Sequence, residues 1–356
     1  MKIIADENIP YVKDAFSTLG TVITRAGRTI KTADLKSCDV LLVRSITDVN
    51  PALLKGTNIR FIASATSGTN HIDQQHLKQQ GIGFAHALGS NAISVAEYVL
   101  SAIAHWSLLK NKPLNELSLG IIGVGQVGSR LKNFCHQLGI QTVLNDPPLA
   151  AQQNPSEYAD LVTALNCDVV SLHVPLTNSG QHPTYHLINH QHIQQLKPGT
   201  LLVNTSRGEV IDQSKLLSRQ KNQHDLALVL DVWQNEPHIN TELLAHTLIG
   251  TPHIAGYSFD GKVRGTEVIY HACCRFFNKP PQWSASSIKT IDDNATEGFD
   301  LEPKDLRETI LHGYNITADD QRFKYLLKNK DTPTHLYFDR LRKDYPIRRE
   351  WSHKFL

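Results

Sequence analysis

The chain has 356 residues, 40% of them hydrophobic, enough for two or three domains, each with its own core. With 36 Lys and Arg against 34 Asp and Glu, the formal charge is +2, and no global field points to a nucleic acid or a membrane surface as partner. No run of 18 or more apolar residues predicts a membrane span, and the opening MKIIADENIPYV, acidic by its sixth residue and without an apolar h-region, does not read as a signal peptide.

In chain order, KIIAD, TVITRAG, DVLLVRS, RFIASAT and GFAHAL are short β-rich runs at intervals of about 20 residues. Helix-compatible stretches such as 10–18 and 72–80 separate them. That alternation predicts an α/β fold, a parallel sheet covered by helices. NAISVAEYVLSAIAHWSLLK carries apolar residues at helical spacing and predicts a long helix, capped by Ser90 or Asn91. A second series follows: LGIIGVG, QTVLND, DVVSLHV, TLLVNTS, LALVLDV and TLIGTPHI. These runs are nearly continuous in apolar residues, as buried parallel strands are. From about residue 285 the character changes. SIKTIDDNATEGFDLEPKDL is polar and irregular, and the tail ending YFDRLRKDYPIRREWSHKF reads as a separate small appendage. Cys38, Cys135, Cys167, Cys273 and Cys274 show no CxxC spacing and fit a reducing cytoplasm with buried thiols. No Cys or His pair recurs at ligand spacing, so no metal site is expected.

The clearest motif is GIIGVGQVGSRL, with Gly123, Gly125 and Gly128 in a GxGxxG pattern between a strand and a helix. Gly123 permits the tight turn, Gly125 lets the backbone approach a pyrophosphate, and Gly128 lets helix and strand pack closely. Gln126 and Val127 complete the helix start, whose free N–H groups face the phosphates. Asp146 ends the next strand, 18 residues past Gly128. A carboxylate there accepts from ribose hydroxyls and repels a 2′-phosphate, which predicts NAD over NADP.

Ligands of open parallel sheets bind beyond the carboxyl ends of the strands. Those ends carry His173, then Ser206, Arg207 and Gly208, then Asp231 with Glu236 beyond it, then His253 in GTPHIAGYS. An imidazole titrates in the range a general base needs. A carboxylate beside it, with Glu236 the candidate, would orient it and raise its pKa. Arg207 offers a planar fork for a substrate carboxylate. Each has a plain structural alternative: Arg207 a surface arginine at a helix start, Glu236 a solvated loop acid, Asp231 a strand-terminal cap. His173 reads as structural or cofactor-lining rather than catalytic.

GIIGVGQVG, HVPLT, NTSRGEVID, LDVWQNEP and TPHIAGYS, in this order over most of residues 1–285, resemble the D-isomer-specific 2-hydroxyacid dehydrogenases. The resemblance implies a Rossmann-type doubly wound sheet for the middle, residues 94–253. It implies a discontinuous, flavodoxin-like substrate (lid) domain from 1–93 and 254–285. It also implies Arg207, Glu236 and His253 as the catalytic set. Further stretches, MKIIADENIPYV, VRSITDVN, SATSGTNHID, GSNAISVAEYV, HGYNI and FDRLRKDYPIRREW, are similar to one branch of that family. That branch acts on a small phosphorylated hydroxy acid in pyridoxal 5′-phosphate synthesis. It carries its own C-terminal dimerisation domain, here 286–356, a small α+β element. The branch implies a homodimer in which pairing buries Tyr337, Phe338, Tyr345 and Trp351. It further implies Ser45, Thr66 and Tyr257 as substrate contacts, and Ser206, Gly208, Asp231, Gly256 and the main chain at Val174 as cofactor contacts. Arg44, or Arg348 and Arg349 reaching a partner's cleft, are candidates for the substrate phosphate. Two other functions stay open: a relative acting on another hydroxy acid such as 3-phosphoglycerate, and a non-catalytic NAD-sensing regulator.

Overall fold

The structure, a computed structural model, describes residues 1–288, 305–329 and 332–351. The chain divides into two compact units, 1–91 with 258–301, and 92–257 with 302–356.

The first unit is built on five strands: β1 (Lys2–Asp6), β2 (Thr21–Arg25), β3 (Val40–Val43), β4 (Phe61–Ser64) and β5 (Gly83–His86). All pair in parallel, in the order β2-β1-β3-β4-β5, the flavodoxin-like arrangement expected from the sequence. Strand side chains alternate between faces. Ile3, Ala5, Val40 and Leu42 therefore pack in one core with Phe16 and with Ile269 and Cys273 of the helix Phe259–Phe276. Ile4, Leu41 and Val43 pack in another with Leu35, Leu54 and Leu77. The central strands β1, β3 and β4 are buried on both faces, while β2 and β5 at the edges are only partly so.

The second unit holds β6 (Ser118–Ile122), β7 (Gln141–Asn145), β8 (Val169–Leu172), β9 (Leu201–Asn204), β10 (Ala227–Leu230) and β11 (Ile249–Gly250). They form one parallel sheet in the order β11-β10-β9-β8-β6-β7, so the direction of winding reverses between β6 and β8. One face packs Leu119, Ile121, Val203 and Val229 against the long helix Ala92–Leu109 and against Leu131 and Cys135. The other packs Ile122, Leu172, Leu202 and Leu230 against Ile193, Leu216 and Leu243. By length and mean hydropathy, 1.4 over 18 residues, Ala92–Leu109 is apolar enough to cross a membrane, yet it is a core helix with 78% of its residues buried in the protein.

The helices Leu306–Gly313, Ile316–Lys324 and Thr334–Lys343 of the C-terminal segment cluster with the second unit. No strand occurs among the described residues after 304. Ile310, Tyr314, Ile316 and Trp351 join the core around Ala92–Leu109, while Phe323, Tyr337 and Phe338 join the opposite one. The aromatics assigned to pairing between two copies are thus largely covered within one chain. The physical reason lies in β11, an edge strand whose open N–H groups need cover. Asp320 supplies it, accepting from the Gly250 N–H at 2.7 Å. Arg348 ties the tail down further, donating through Nη2 to the carbonyls of Ser94 (3.1 Å) and Ala255 (2.7 Å). It is a buried clamp of its own chain, not an arm toward a partner's cleft. The unit boundaries fall at 91/92 and 257/258, a few residues from those expected at 93/94 and 253/254. The polar, irregular stretch SIKTIDDNATEGFDLEPKDL lies mostly outside the described residues.

Candidate active site

The glycine loop leaves β6 next to the point where the winding reverses. Gly123 has φ +88, and a Cβ there would stand 2.8 Å from the His173 carbonyl and from Val174 Cγ1. The turn after β6 and the turn after β8 touch because residue 123 has no side chain. A Cβ on Gly128 would stand 2.1 Å from the Gly123 carbonyl oxygen, so the helix Gln126–Gln137 lies directly on the loop. At Gly125 a Cβ would meet nothing within 4 Å, and no side chain caps the helix start. Gln126 is exposed there, while Val127 turns inward against the core. Open space above unsatisfied N–H groups fits a pyrophosphate. Asp146 accepts from Val124 N–H (2.8 Å) and Leu149 N–H (3.0 Å), which fixes its carboxylate beside the loop at the end of β7. These residues fit a dinucleotide.

The turns after β9, β10 and β11 carry Arg207, Glu236 and His253. Glu236 Oε2 is 2.7 Å from His253 Nδ1, and Oε1 accepts from the Trp233 N–H at 2.9 Å. Burial works to raise the Glu236 pKa, but His253, Arg342 and the Trp233 N–H outweigh it and hold the carboxyl below its usual range. His253 sits at φ +57, a left-handed conformation unusual for a non-glycine residue. Asp231 holds it there. The Asp231 carbonyl accepts from the His253 N–H (2.7 Å). Its buried carboxylate accepts from Thr251 Oγ1 (2.7 Å), Ile254 N–H (2.7 Å) and Ala255 N–H (2.9 Å). Burial, the largest influence, raises the Asp231 pKa against these bonds. Gly256 lies in the next turn, closed by Tyr257 N–H donating to the Ile254 carbonyl, and Tyr257 packs edge-on to Tyr345.

Arg207 bonds through Nη1 to the Ser206 carbonyl at 2.6 Å, and burial lowers its pKa against the pull of Glu236 and Glu209. The Ser206 hydroxyl turns inward to Asn204 Oδ1 (2.8 Å). Gly208 brings two turns together, since a Cβ there would stand 2.0 Å from the Trp233 carbonyl carbon. His173 bonds Ser171 Oγ at 2.9 Å, and burial pushes its pKa down to about 3. That is a neutral, structural imidazole.

Asn204, Gln213 and Trp233 escaped the sequence reading. Asn204 spans the Arg207 turn, its Oδ1 accepting from Ser206 N–H (3.0 Å) and its Nδ2 donating to the Arg207 carbonyl (2.9 Å). Gln213 Nε2 donates to the Gly208 (3.4 Å) and Val232 (3.3 Å) carbonyls. Trp233 Nε1 donates to the Thr251 carbonyl (2.9 Å). A polar residue ending an apolar strand was the one available signal, at Asn204. In the first unit, Ser45 stands exposed just past β3. Thr66, just past β4, bonds Ser64 Oγ (2.8 Å) and donates to the Gly68 carbonyl (3.2 Å).

The second unit has the architecture of a dehydrogenase nucleotide domain. The family model described as the D-isomer specific 2-hydroxyacid dehydrogenase NAD-binding domain matches residues 91–255, and one described only as a domain of unknown function matches 291–356. Among solved structures, the D-lactate dehydrogenase of Aquifex aeolicus, complexed with NAD and lactic acid, is similar at 25% identity and TM-score 0.65. The match covers 78% of this chain and 96% of that one. The NAD-bound 3-phosphoglycerate dehydrogenase of Entamoeba histolytica, at 24% identity and TM-score 0.66, covers 78% and 95% and shares the fold. The erythronate-4-phosphate dehydrogenases of Marinobacter nauticus and Proteus mirabilis are 42% and 41% identical, each over 99% of this chain and 93% of their own length. The chain belongs to the erythronate-4-phosphate dehydrogenase family, NAD-dependent oxidoreductases of the D-isomer-specific 2-hydroxyacid dehydrogenase group.

Proposed function

We propose that the protein oxidises 4-phospho-D-erythronate to (R)-3-hydroxy-2-oxo-4-phosphooxybutanoate, a step in pyridoxal 5′-phosphate synthesis. The observation that carries this reading is the Glu236–His253 contact of 2.7 Å, in a chain with full-length relatives of that name. NAD, when bound, supplies the hydride acceptor. His253 takes the proton from the C2 hydroxyl through Nε2, since Nδ1 faces Glu236. Glu236 fixes that tautomer and favours the imidazolium once the proton has arrived. Arg207 grips the substrate carboxylate. Gly123, Gly125, Gln126, Val127, Gly128, Asp146, Val174, Ser206, Gly208, Asp231 and Gly256 line the cofactor side. Ser45, Thr66 and Tyr257 are assigned as substrate contacts.

We also infer a homodimer through the C-terminal segment, in a cytoplasmic setting. The exposure of Leu306, Tyr325, Leu336 and Ile347 along that segment supports the pairing. Five buried free cysteines support a reducing compartment.

The test is turnover of 4-phospho-D-erythronate with NAD, beside D-3-phosphoglycerate, with a 2-oxo acid present to recycle bound NADH. Preference for the erythronate, lost in His253→Ala, is the expected result. Preference for phosphoglycerate would keep the mechanism and remove the substrate. Failure of both, with NAD bound, would remove the reading.

A further inference from the structure

Arg342 stands near the end of the helix Thr334–Lys343, in the segment matched by the second family model. Its guanidinium carbon lies 5.6 Å from the centre of the Tyr257 ring and 5.7 Å from that of Phe338. Its Nε is buried and makes no hydrogen bond. Native proteins leave few buried N–H groups without an acceptor, and each such group calls for an explanation. Burial opposes the charge here, but Tyr257, Glu236 and Asp231 outweigh it and raise the pKa of Arg342. The guanidinium is therefore a permanent cation within electrostatic range of the proton-carrying pair.

Arg348 provides the contrast. It too has buried nitrogens without hydrogen bonds, but Nη2 clamps two carbonyls and the group stacks over Tyr314 at 4.3 Å. Its charged and titratable neighbours are Tyr314, Tyr345, Glu97 and Asp319, not Glu236. Arg348 holds the tail, whereas Arg342 lies against the Tyr257 ring and within electrostatic range of Glu236 and Asp231.

The origin of Arg342 adds a second observation. The NAD-binding family model stops at 255, and the lactate and phosphoglycerate dehydrogenase structures match only 78% of this chain while covering nearly all of their own. The segment from 291 onward has a separate family description. It thus brings an additional cation to a site that already contains Arg207. A phosphorylated hydroxy acid has two anionic ends, and Arg207 is assigned to one of them. A planar fork against a phosphate gives directional, paired hydrogen bonds that would satisfy the open Nε.

We propose that Arg342 is a substrate-binding residue that receives the distal phosphate of the hydroxy acid, so that the C-terminal segment lends a side chain to the active site of its own chain. The proposal builds on the substrate reading above. The test compares the full-length protein with Arg342→Met and Arg342→Lys, using 4-phospho-D-erythronate and unphosphorylated D-erythronate. Arg342→Met should lower kcat/KM for the phosphorylated acid on the order of 100-fold, mainly through KM, and change it little for D-erythronate. Arg342→Lys, which keeps the charge and most of the stem over Phe338, should fall between. Equal losses on both acids would mean that Arg342 acts through Glu236 or through packing, and would overturn the proposal. Inorganic phosphate binding to the NAD-loaded protein, read by calorimetry, separates this inference from the substrate reading. Phosphate affinity lost in Arg342→Met supports the anion site whichever acid is turned over. Affinity unchanged by the substitution overturns it.

Discussion

In the proposed mechanism His253 depends on its backbone as much as on its ring. A left-handed φ at a non-glycine residue is costly and persists only where the surroundings over-determine it. Here Asp231 does so, with one carbonyl and both carboxylate oxygens spent on residues 251–255. Asp231, proposed as a cofactor contact, also anchors the turn that carries His253. His173 is the opposite case, an imidazole kept neutral by burial with its pKa pushed to about 3 against 6.5 unperturbed. The unfolded chain therefore binds one more proton at this position between those two values. Stability is undiminished above the higher value and declines as pH falls through the window toward the lower one. His173→Gln should flatten that decline, measured as the denaturant midpoint against pH. A slope identical to that of the parent protein would show that His173 titrates normally.

At the scale of elements, the site is a meeting of turns rather than of strands. Gly208 sets the approach of the turn after β9 to the turn after β10. The atoms a Cβ would meet, the Trp233 carbonyl carbon at 2.0 Å and the Gln234 nitrogen at 2.4 Å, are backbone and cannot swing aside. Gly208→Ala must part the two turns, one carrying Arg207 and the other Glu236. A displacement near 1 Å at reacting groups costs on the order of 100-fold in rate. Steady-state kinetics should show a loss of about that size, alongside a lower melting temperature. Full activity in the variant would mean that the turns yield without moving the reacting groups.

For the whole molecule, the C-terminal segment has two faces. One completes the second unit, covering β11 and burying Phe323, Phe338 and Trp351. The other leaves Leu336 at 58% and Ile347 at 80% exposure, unusual for large aliphatic side chains so close together in sequence. A homodimer would cover them. Leu336→Asp combined with Ile347→Asp should sediment as a monomer while keeping its melting temperature within a few degrees, because neither residue belongs to the core. A parent protein that is itself monomeric at micromolar concentration would exclude the pairing. Deleting the segment should do more harm than lost pairing, since it uncovers the sheet edge and the helix Ala92–Leu109.

Short apolar runs separated by helical stretches, with glycine punctuation, marked all eleven strands and the cofactor loop, because strand burial and tight turns impose local composition; the division into two sheets came from the family resemblance. The types Arg, Glu and His at strand ends pointed to a candidate proton-transfer site with Glu236 beside His253, though a linear chain does not record the contact itself. Only the tertiary structure decided that Glu236 touches His253, that Asp231 and Asn204 serve the turns beside them, and that Arg348 clamps rather than reaches out. It also decided that the aromatics of the tail fill the second unit's own cores. Apart from Asn204, which bonds Ser206 and Arg207 close by in sequence, those outcomes depend on contacts between residues 17 to 254 positions apart, where local pattern is silent and packing selects the partner.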